Sequence, residues 1–369
     1  MNPIPILPVE QRRQIVHLPA TRAVHDRLLG EMPFLAEVEM QPPPIDMAPP
    51  DRSCRVVAWN AQRCRRIDAA VRFLQDQNAD LILMSEMDWG MARSDQLHTT
   101  RVLAERLRCG YAFAIEFLEL GLGDAEERRL YAGQDNLVGY HGAAVLFRWH
   151  PLEVRVVRLE RSAGWFDGTR GERRVGGRIA LLARVPVSGV PVVFASLHLE
   201  SHTDAEDRAA QMRILFDAVD SYGSSEPALV GGDLNTFSVS HADLEDEVML
   251  QRALSQDPNR LSNPVTYEPL FALARRYGYV WDPANQAEAP TQRLSSVASP
   301  GSRSMKIDWF LVRGLEVYRP EVLEAVDPLD GSDLSDHEAI AVTIEARGSA
   351  SLSSYKTAYG KHGNKDDKS

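Results

Sequence analysis

Short apolar segments that end in polar residues recur along this chain. Five of them lie at residues 56–60, 81–86, 192–198, 229–235 and 334–337. Apolar runs of this kind predict buried strands, and the polar residues at their ends are Asn60, Glu86, His198, the pair Asp233 and Asn235, and the pair Asp336 and His337. Because strand ends are rigid, they can hold several polar groups in fixed geometry, as electrostatic catalysis requires. The pattern therefore predicts one rim of functional side chains.

Further strands and two surface helices are predicted between these segments. The strand candidates are residues 143–148, 153–159, 178–185, 306–312 and 339–345. Apolar residues at intervals of three and four predict helices at 67–74 and 212–219. Alternating strands and helices of this kind favour a layered α/β domain.

The flanks of this region differ in composition, so we divide the chain into three parts. Residues 1–53 predict an N-terminal arm with one or two helices between positions 10 and 35, followed by a proline-rich linker. Residues 54–346 form the predicted catalytic domain, in which 118–141 is expected to be a long loop and 237–264 an acidic insertion with a short helix. Residues 347–369 are rich in Ser, Lys and Gly, and we expect disorder there.

The net charge and the cysteine content bear on which partners and which cellular compartment we expect. With 41 basic and 52 acidic residues among 369, the net charge is −11, which does not favour a tight grip on a polyanion. Three cysteines without metal-ligand spacing suggest reduced thiols. No run of membrane-spanning length and no signal-peptide pattern is visible, so we expect a cytoplasmic protein.

The ordered series of motifs resembles the endonuclease/exonuclease/phosphatase superfamily over roughly residues 54–346. The motifs are Trp59-Asn60, Ser85-Glu86, His198, Gly232-Asp233-Leu234-Asn235, Lys306-Ile307-Asp308-Trp309-Phe310 and Ser335-Asp336-His337. The resemblance implies a four-layer β-sandwich of two mixed sheets flanked by helices, as in deoxyribonuclease I. It also implies hydrolysis of a phosphoester with Mg²⁺ or Mn²⁺.

The resemblance assigns a metal ligand and a water-activating group. Glu86 is the leading ligand, since carboxylate oxygens suit Mg²⁺, with Asn60 beside it and Asp336 near the metal or a second metal position. Asp233 would orient or deprotonate the attacking water, and Asn235 would donate to a phosphate oxygen. Two structural alternatives stay open: Asn60 as a strand-end cap, and Asp233 with Asn235 as an Asx turn.

Two histidines complete the set that the resemblance implies. Asp308 would hold one ring nitrogen of His337 and favour the imidazolium, which donates to the phosphoryl oxygen. His198 would protonate the leaving alkoxide, although a histidine at a strand end is also commonly structural.

Other basic residues near these motifs carry weaker expectations. Arg178 begins a predicted strand and His141 precedes one, and both are candidates for binding the substrate phosphate, with a surface role as the alternative. Arg63, Arg65 and Arg66 follow Asn60 closely; they either bind a second anionic group or, as we favour, form a solvated basic helix start.

The sequence thus predicts a metal-dependent phosphoester hydrolase, with a small or lipid-like phosphodiester favoured over duplex DNA. An endonuclease or exonuclease on DNA or RNA is the first alternative, and a non-catalytic binding protein on the same fold is the second. The oligomeric state is left open.

Overall fold

The computed structural model describes residues 4–45, 48–50, 53–160, 163–293 and 304–346. Within them the α-helices are α1 Val9–Val16, α2 Arg22–Glu31, α3 Ile67–Asp76, α4 Thr99–Leu107, α5 Ala125–Leu130, α6 Ala205–Asp220, α7 His241–Glu245, α8 Glu247–Gln256 and α9 Pro269–Arg276. The strands are β1 Val38–Gln41, β2 Ser53–Arg63, β3 Leu81–Trp89, β4 Gly110–Glu119, β5 Tyr140–Phe147, β6 Glu153–Arg158, β7 Arg174–Gly176, β8 Ile179–Val187, β9 Val190–His198, β10 Ala228–Asp233, β11 Gln292–Arg293, β12 Ser304–Met305, β13 Asp308–Arg313, β14 Leu315–Leu323 and β15 Ala339–Ala346.

Most of the strands form two mixed sheets. The larger runs in the order β1-β4-β5-β3-β2-β15-β14, with β7 paired to β4, and the smaller runs β13-β10-β9-β8-β6. The pairs β2–β3 and β9–β10 are parallel, whereas the neighbouring pairs are antiparallel. The predicted two-sheet architecture is confirmed.

Three apolar layers hold the sheets and helices together. Side chains such as Val56, Leu83 and Phe194 fill the space between the sheets. Apolar residues of α3 and α4 cover the outer face of the larger sheet, and those of α6 and α9 cover the smaller one. Burial on both faces explains why the central strands are continuous apolar runs rather than alternating ones.

Most of the predicted elements are confirmed, and several predictions need correction. Residues 334–337, predicted as a buried strand, lie between β14 and β15 outside any strand, and His337 forms only an isolated bridge with Gln292. Strand β4 was missed although, like β5 and β10, it is buried along its whole length; Glu116 interrupts its apolar run. The expected loop at 118–141 contains α5, and the expected short helix of the acidic insertion is a pair, α7 and α8. The predicted disordered tail at 347–369 lies outside the described residues.

The N-terminal segment packs against the larger sheet. Two helices form there as predicted, and Ile15 and Leu28 join the core of the larger sheet. Strand β1 pairs with β4, so the segment also supplies one edge of this sheet. No helix of the described residues combines the length and apolarity needed to cross a bilayer.

Candidate active site

Three neighbouring strand positions bring together the central residues of the site. In the register of the smaller sheet, Asp233 at the end of β10 lies beside His198 on β9 and beside Asp308 on β13. In the larger sheet, Asn60 on β2 is in register with Ser85, the residue before Glu86. The two sheets therefore present these groups at one rim, as the sequence predicts.

Gly232 is required for Asp233 to reach this rim. Its φ is +143°, and a Cβ there would overlap the carbonyl oxygen of Leu197 on the neighbouring strand. Only glycine allows this backbone conformation together with such a close approach. Beyond it, Asp233 Oδ1 accepts a hydrogen bond of 2.9 Å from the Asn235 backbone N–H, so the Asx turn is present alongside any catalytic role.

Irregular backbone also places Glu86. The pairing of β3 with both neighbours shifts register around this residue, and its φ is +56°. A side chain other than glycine or asparagine seldom adopts this conformation, and such strain is concentrated at functional sites. The bulge directs the carboxylate of Glu86 to the group formed by Asn60 and Asp233.

A buried carboxylate pair surrounds His337. Its Nδ1 lies 2.8 Å from Asp308 Oδ2, and its Nε2 lies 3.7 Å from Asp233 Oδ2 and 3.2 Å from the side-chain amide of Gln292. Burial works against the imidazolium, but the charges of Asp308 and Asp233 raise the pKa of His337 well above its usual value. The predicted contact between Asp308 and His337 is thus present, and the ring is cationic near neutral pH.

His198 has the opposite protonation state. Arg178 donates from Nη1 to His198 Nδ1 at 3.0 Å, and because a guanidinium only donates, Nδ1 must be unprotonated. The proton is then on Nε2, which lies 3.3 Å from Asp233 Oδ2. Burial, followed by the charge of Arg178, holds the pKa of His198 well below its usual value.

Asp233 is the common neighbour of these groups. Its Oδ2 accepts from Asn60 Nδ2 at 3.2 Å and faces both histidines. Burial raises the pKa of Asp233 to about 7, and the charge of His337 only partly opposes this. A carboxylate with a pKa near neutrality is suited to accept a proton from water at physiological pH.

Glu86 has a different environment. Its Oε1 accepts from Asn60 Nδ2 at 3.2 Å, and its Oε2 is ion-paired with Arg63 Nη1. Burial opposes ionisation, but the charge of Arg63, supported by that of His337, holds the pKa of Glu86 well below its usual value. Our expectation that Arg63 lies on a solvated face is wrong, whereas Arg65 and Arg66 are exposed.

The oxygen donors of the rim suit a hard divalent cation. Glu86 and Asn60 contact each other, and Asp336 lies at the rim with its carboxylate 3.5 Å from the Ser335 hydroxyl. Ligand atoms of Asp233, Asp308 and His337 also lie within 4.8 Å of one another. That trio is better described as a proton-sharing group, because Asp308 already binds His337 Nδ1.

The two predicted phosphate-binding residues contact protein groups. Arg178 is 4% exposed, and besides His198 it reaches Glu116 at 3.0 Å and Glu200 at 3.4 Å. His141 Nδ1 lies 2.8 Å from Asp88 Oδ1, and burial lowers the pKa of this histidine to about 4. Because both residues are buried, the alternative of a surface role is wrong. Binding of substrate by either residue stays a prediction.

Sequence reasoning missed four residues that shape the site. Two of them carried a usable signal: Glu116 interrupts the apolar strand β4, and Asp88 follows Glu86 by two positions and so projects to the same side of β3. Gln292 reaches His337 from a two-residue strand, for which no sequence pattern exists. The position of Arg63 depends on a backbone bulge in β2.

The fold of this chain is shared with proteins of known structure. Three solved structures share the fold: an endonuclease/exonuclease/phosphatase from Beutenbergia cavernae (19% identity, TM-score 0.51, 80% of this chain and 72% of that chain), a functionally unknown conserved protein from Enterococcus faecalis (14%, 0.53, 79% and 100%), and the human Nocturnin catalytic domain with bound sulfate anion (15%, 0.50, 84% and 96%). No curated protein matches the chain.

The family itself is shown by the sequence. A model of the Endonuclease/Exonuclease/phosphatase family matches residues 57–337, which is more than half of the chain. The chain therefore belongs to this family, whose members include phosphoesterases and nucleases and generally depend on divalent metals.

Proposed function

We propose that this protein is a divalent-metal-dependent phosphodiesterase that acts on a small or lipid-like phosphodiester in the cytoplasm. The observation that carries the proposal is the pairing of Asp233, whose pKa is raised to about 7, with the cationic His337 held by Asp308. One group accepts a proton from the attacking water, and the other stabilises the negative charge that grows on the phosphoryl oxygens.

Glu86 and Asn60, with Asp336 at the rim, would hold Mg²⁺ or Mn²⁺. Their oxygen atoms match the preference of these ions. When bound, the cation polarises the phosphoryl oxygen and neutralises its charge. The protein residues fix the site, bind the phosphate through Asn235 and handle the proton through Asp233.

His198 acts in this proposal as a neutral hydrogen-bond donor rather than as a general acid. A general acid at this position would have to be an imidazolium, but Arg178 occupies Nδ1 and the pKa of His198 is held well below its usual value. The Nε2–H group can donate to a phosphoryl oxygen once the substrate takes the place of Asp233 as its partner. Arg178 is then a positioning residue that fixes the tautomer.

The acidic insertion supports a small substrate over a long polyanion. Helices α7 and α8 carry Asp243, Glu245 and Glu247 on exposed or half-buried positions. Together with the net charge of −11, these carboxylates would repel a nucleic acid that extended beyond the site. A nuclease would show strong salt dependence of cleavage, which separates the two activities.

The decisive experiment measures hydrolysis by the metal-stripped protein with and without Mg²⁺ or Mn²⁺. The substrates are bis(p-nitrophenyl) phosphate, p-nitrophenyl phosphate, phospholipids, RNA and plasmid DNA, with His337→Ala as the inactive control. We expect diester cleavage that chelator abolishes and either metal restores. Full activity in excess chelator contradicts the metal dependence, and absence of turnover on every substrate favours the binding-protein alternative.

A further inference from the structure

Arg63 lies inside the proposed metal site, where its charge has the same sign as the metal. Its Nη1 is ion-paired with Glu86 Oε2, and its Nε lies 3.5 Å from Glu127 Oε1. Only 17% of its side chain is exposed, and the corresponding values are 15% for Glu86 and 6% for Glu127. The pair is therefore screened little by solvent.

The backbone around Arg63 is built to hold this position. Gln62, Arg63 and Cys64 have φ values of +43°, +69° and +50°, and β2 shifts register against β3 between Asn60 and Arg63. Three consecutive non-glycine residues in the left-handed region are unfavourable. Such strain persists only where the surrounding structure enforces it.

The neighbouring carboxylate Glu127 does not replace Glu86 as the partner of Arg63, because it is already paired with another arginine. Arg93, which is fully buried, already binds Asp88 at 2.9 Å and the second oxygen of Glu127 at 3.0 Å. Glu127 is thus shared between two guanidinium groups. Arg63 is the cation that balances Glu86.

Both oxygens of Glu86 consequently have a donor within the protein. Asn60 Nδ2 donates to Oε1 and Arg63 to Oε2. The amide of Asn60 can turn and offer its oxygen to a metal, but a guanidinium has no acceptor and stays charged at every physiological pH. A divalent cation that binds Glu86 must therefore displace Arg63 or share the carboxylate with it.

We propose that Arg63 is an internal counter-ion of Glu86, which competes with the divalent cation and so weakens the affinity of the site for metal. This inference rests on the proposed role of Glu86 as a metal ligand. Arg63 keeps the carboxylate ionised and in place when the metal is absent, and it is a positioning residue rather than a catalytic one.

The test is calorimetric titration of Mn²⁺ into the metal-stripped full-length protein without substrate. We expect Arg63→Gln to lower Kd for Mn²⁺ by about tenfold or more, because two like charges that share a carboxylate repel strongly at low effective dielectric. Glutamine keeps an N–H donor for Glu86, so the carboxylate is not left without a partner. Arg63→Lys keeps the charge and should stay within about threefold of the wild type.

Arg66→Gln is the matched control for loss of one positive charge. Arg66 lies three positions away, is 41% exposed at its side chain and pairs with Asp327 at 3.0 Å. We expect its Kd for Mn²⁺ to equal that of the wild type, since exposed charges are screened. An unchanged or higher Kd for Arg63→Gln, or equal effects of the two glutamine variants, overturns the inference.

A second measurement follows Arg63 directly in the wild-type protein and does not depend on a variant that removes its charge. In nitrogen-15 spectra of the guanidinium groups, the Nε–H signal of Arg63, assigned by its loss in Arg63→Lys, should shift on addition of Mg²⁺. A signal that does not move at metal saturation also overturns the inference.

Glu86→Gln separates this inference from the proposed function. If that variant binds Mn²⁺ as the wild type does, Glu86 is not a ligand and both proposals fall. If it weakens binding while Arg63→Gln does not tighten it, only the role of Arg63 falls.

Discussion

The two carboxylates at the centre of the site are both largely buried but are stabilised in different ways. Glu86 is balanced by the fixed charge of Arg63, and its pKa is held well below the usual value. Asp233 has two histidines and an amide as neighbours, and burial raises its pKa to about 7. A permanently charged neighbour such as Arg63 keeps a carboxylate ionised, so that it can serve as a ligand. A carboxylate among titratable neighbours, such as Asp233, keeps a pKa at which it can exchange a proton.

This difference separates the site into two functional halves. In the half around Glu86, Arg63 balances the charge of the carboxylate without any ligand. In the half around Asp233, burial opposes the negative charge of that carboxylate. Asp308 Oδ1 is also buried there without a hydrogen-bond partner among the described residues. Proteins keep such costs mainly where function requires them.

The largest effect should come from the proton-handling half. We expect His337→Ala to lower kcat by about 10²–10³, because it removes a donor to the developing negative charge. Asp308→Asn should cost less, since the asparagine still fills the position but no longer favours the imidazolium. Because both changes affect one unit, the double variant should be far from additive.

Steady-state kinetics of the two single variants and the double variant, at unchanged thermal stability, check this prediction. Strictly additive losses would mean that the two residues act independently, and the proposed pairing would have to be withdrawn.

Opposite stability changes should distinguish the two carboxylates in metal-free protein. Glu86→Gln breaks a largely buried ion pair and should lower the free energy of unfolding by about 2–3 kcal/mol at pH 7.5. Asp233→Asn removes a carboxylate whose ionisation burial opposes, and should raise the free energy of unfolding by about 1–2 kcal/mol while it abolishes activity.

The pH dependence of these changes follows from the directions of the pKa shifts. The folded pKa of Asp233 is about 7 against an ordinary 3.8, so folding favours its protonated form and the wild type loses stability as the pH rises between these values. The advantage of Asp233→Asn should therefore appear across that window. The Glu86 contribution is complete above the ordinary value of 4.5 and is lost as the pH falls below it.

Thermal unfolding of the two variants and the wild type in chelator at several pH values measures both effects. Shifts of the same sign for both carboxylate variants would remove the distinction between the two halves.

The smallest expected effect concerns His198. As a neutral donor it should lose about tenfold in turnover on replacement by alanine, and the loss should be equal for p-nitrophenyl esters and for alkyl esters. A good leaving group needs no proton, so a general acid would instead show a much larger loss on alkyl esters. Comparison of the two ester series for His198→Ala distinguishes these roles.

Much of the site could be predicted from the sequence because its residues end apolar strands. Asn60, His198, Asp233 and Asp308 lie in the register that pairing of those strands imposes, and Glu86 follows Ser85, the partner of Asn60, at a register shift. The predicted imidazole–carboxylate contact between His337 and Asp308 is also present. The role of each residue in catalysis is still a prediction.

The strand pattern did not predict which charged residues contact these side chains. Arg63 follows a register shift that no apolar pattern indicates, so its sequence neighbours Arg65 and Arg66 suggested a common solvated face. Glu116 approaches Arg178 from a strand that was not predicted at all.

The sequence by itself determined the family, the two-sheet fold and the residue types that meet at the rim. The hydrophobic pattern indicated the strands and a layered α/β domain, whereas the family and the two-sheet fold followed from the resemblance of motifs that stand in order along the chain. Only the tertiary structure decided which carboxylate is balanced by arginine and which by histidine. Protonation and charge balance depend on burial and on contacts between residues far apart in the chain, such as Arg63 with Glu86 and Asp233 with His337, and a linear pattern does not encode those distances.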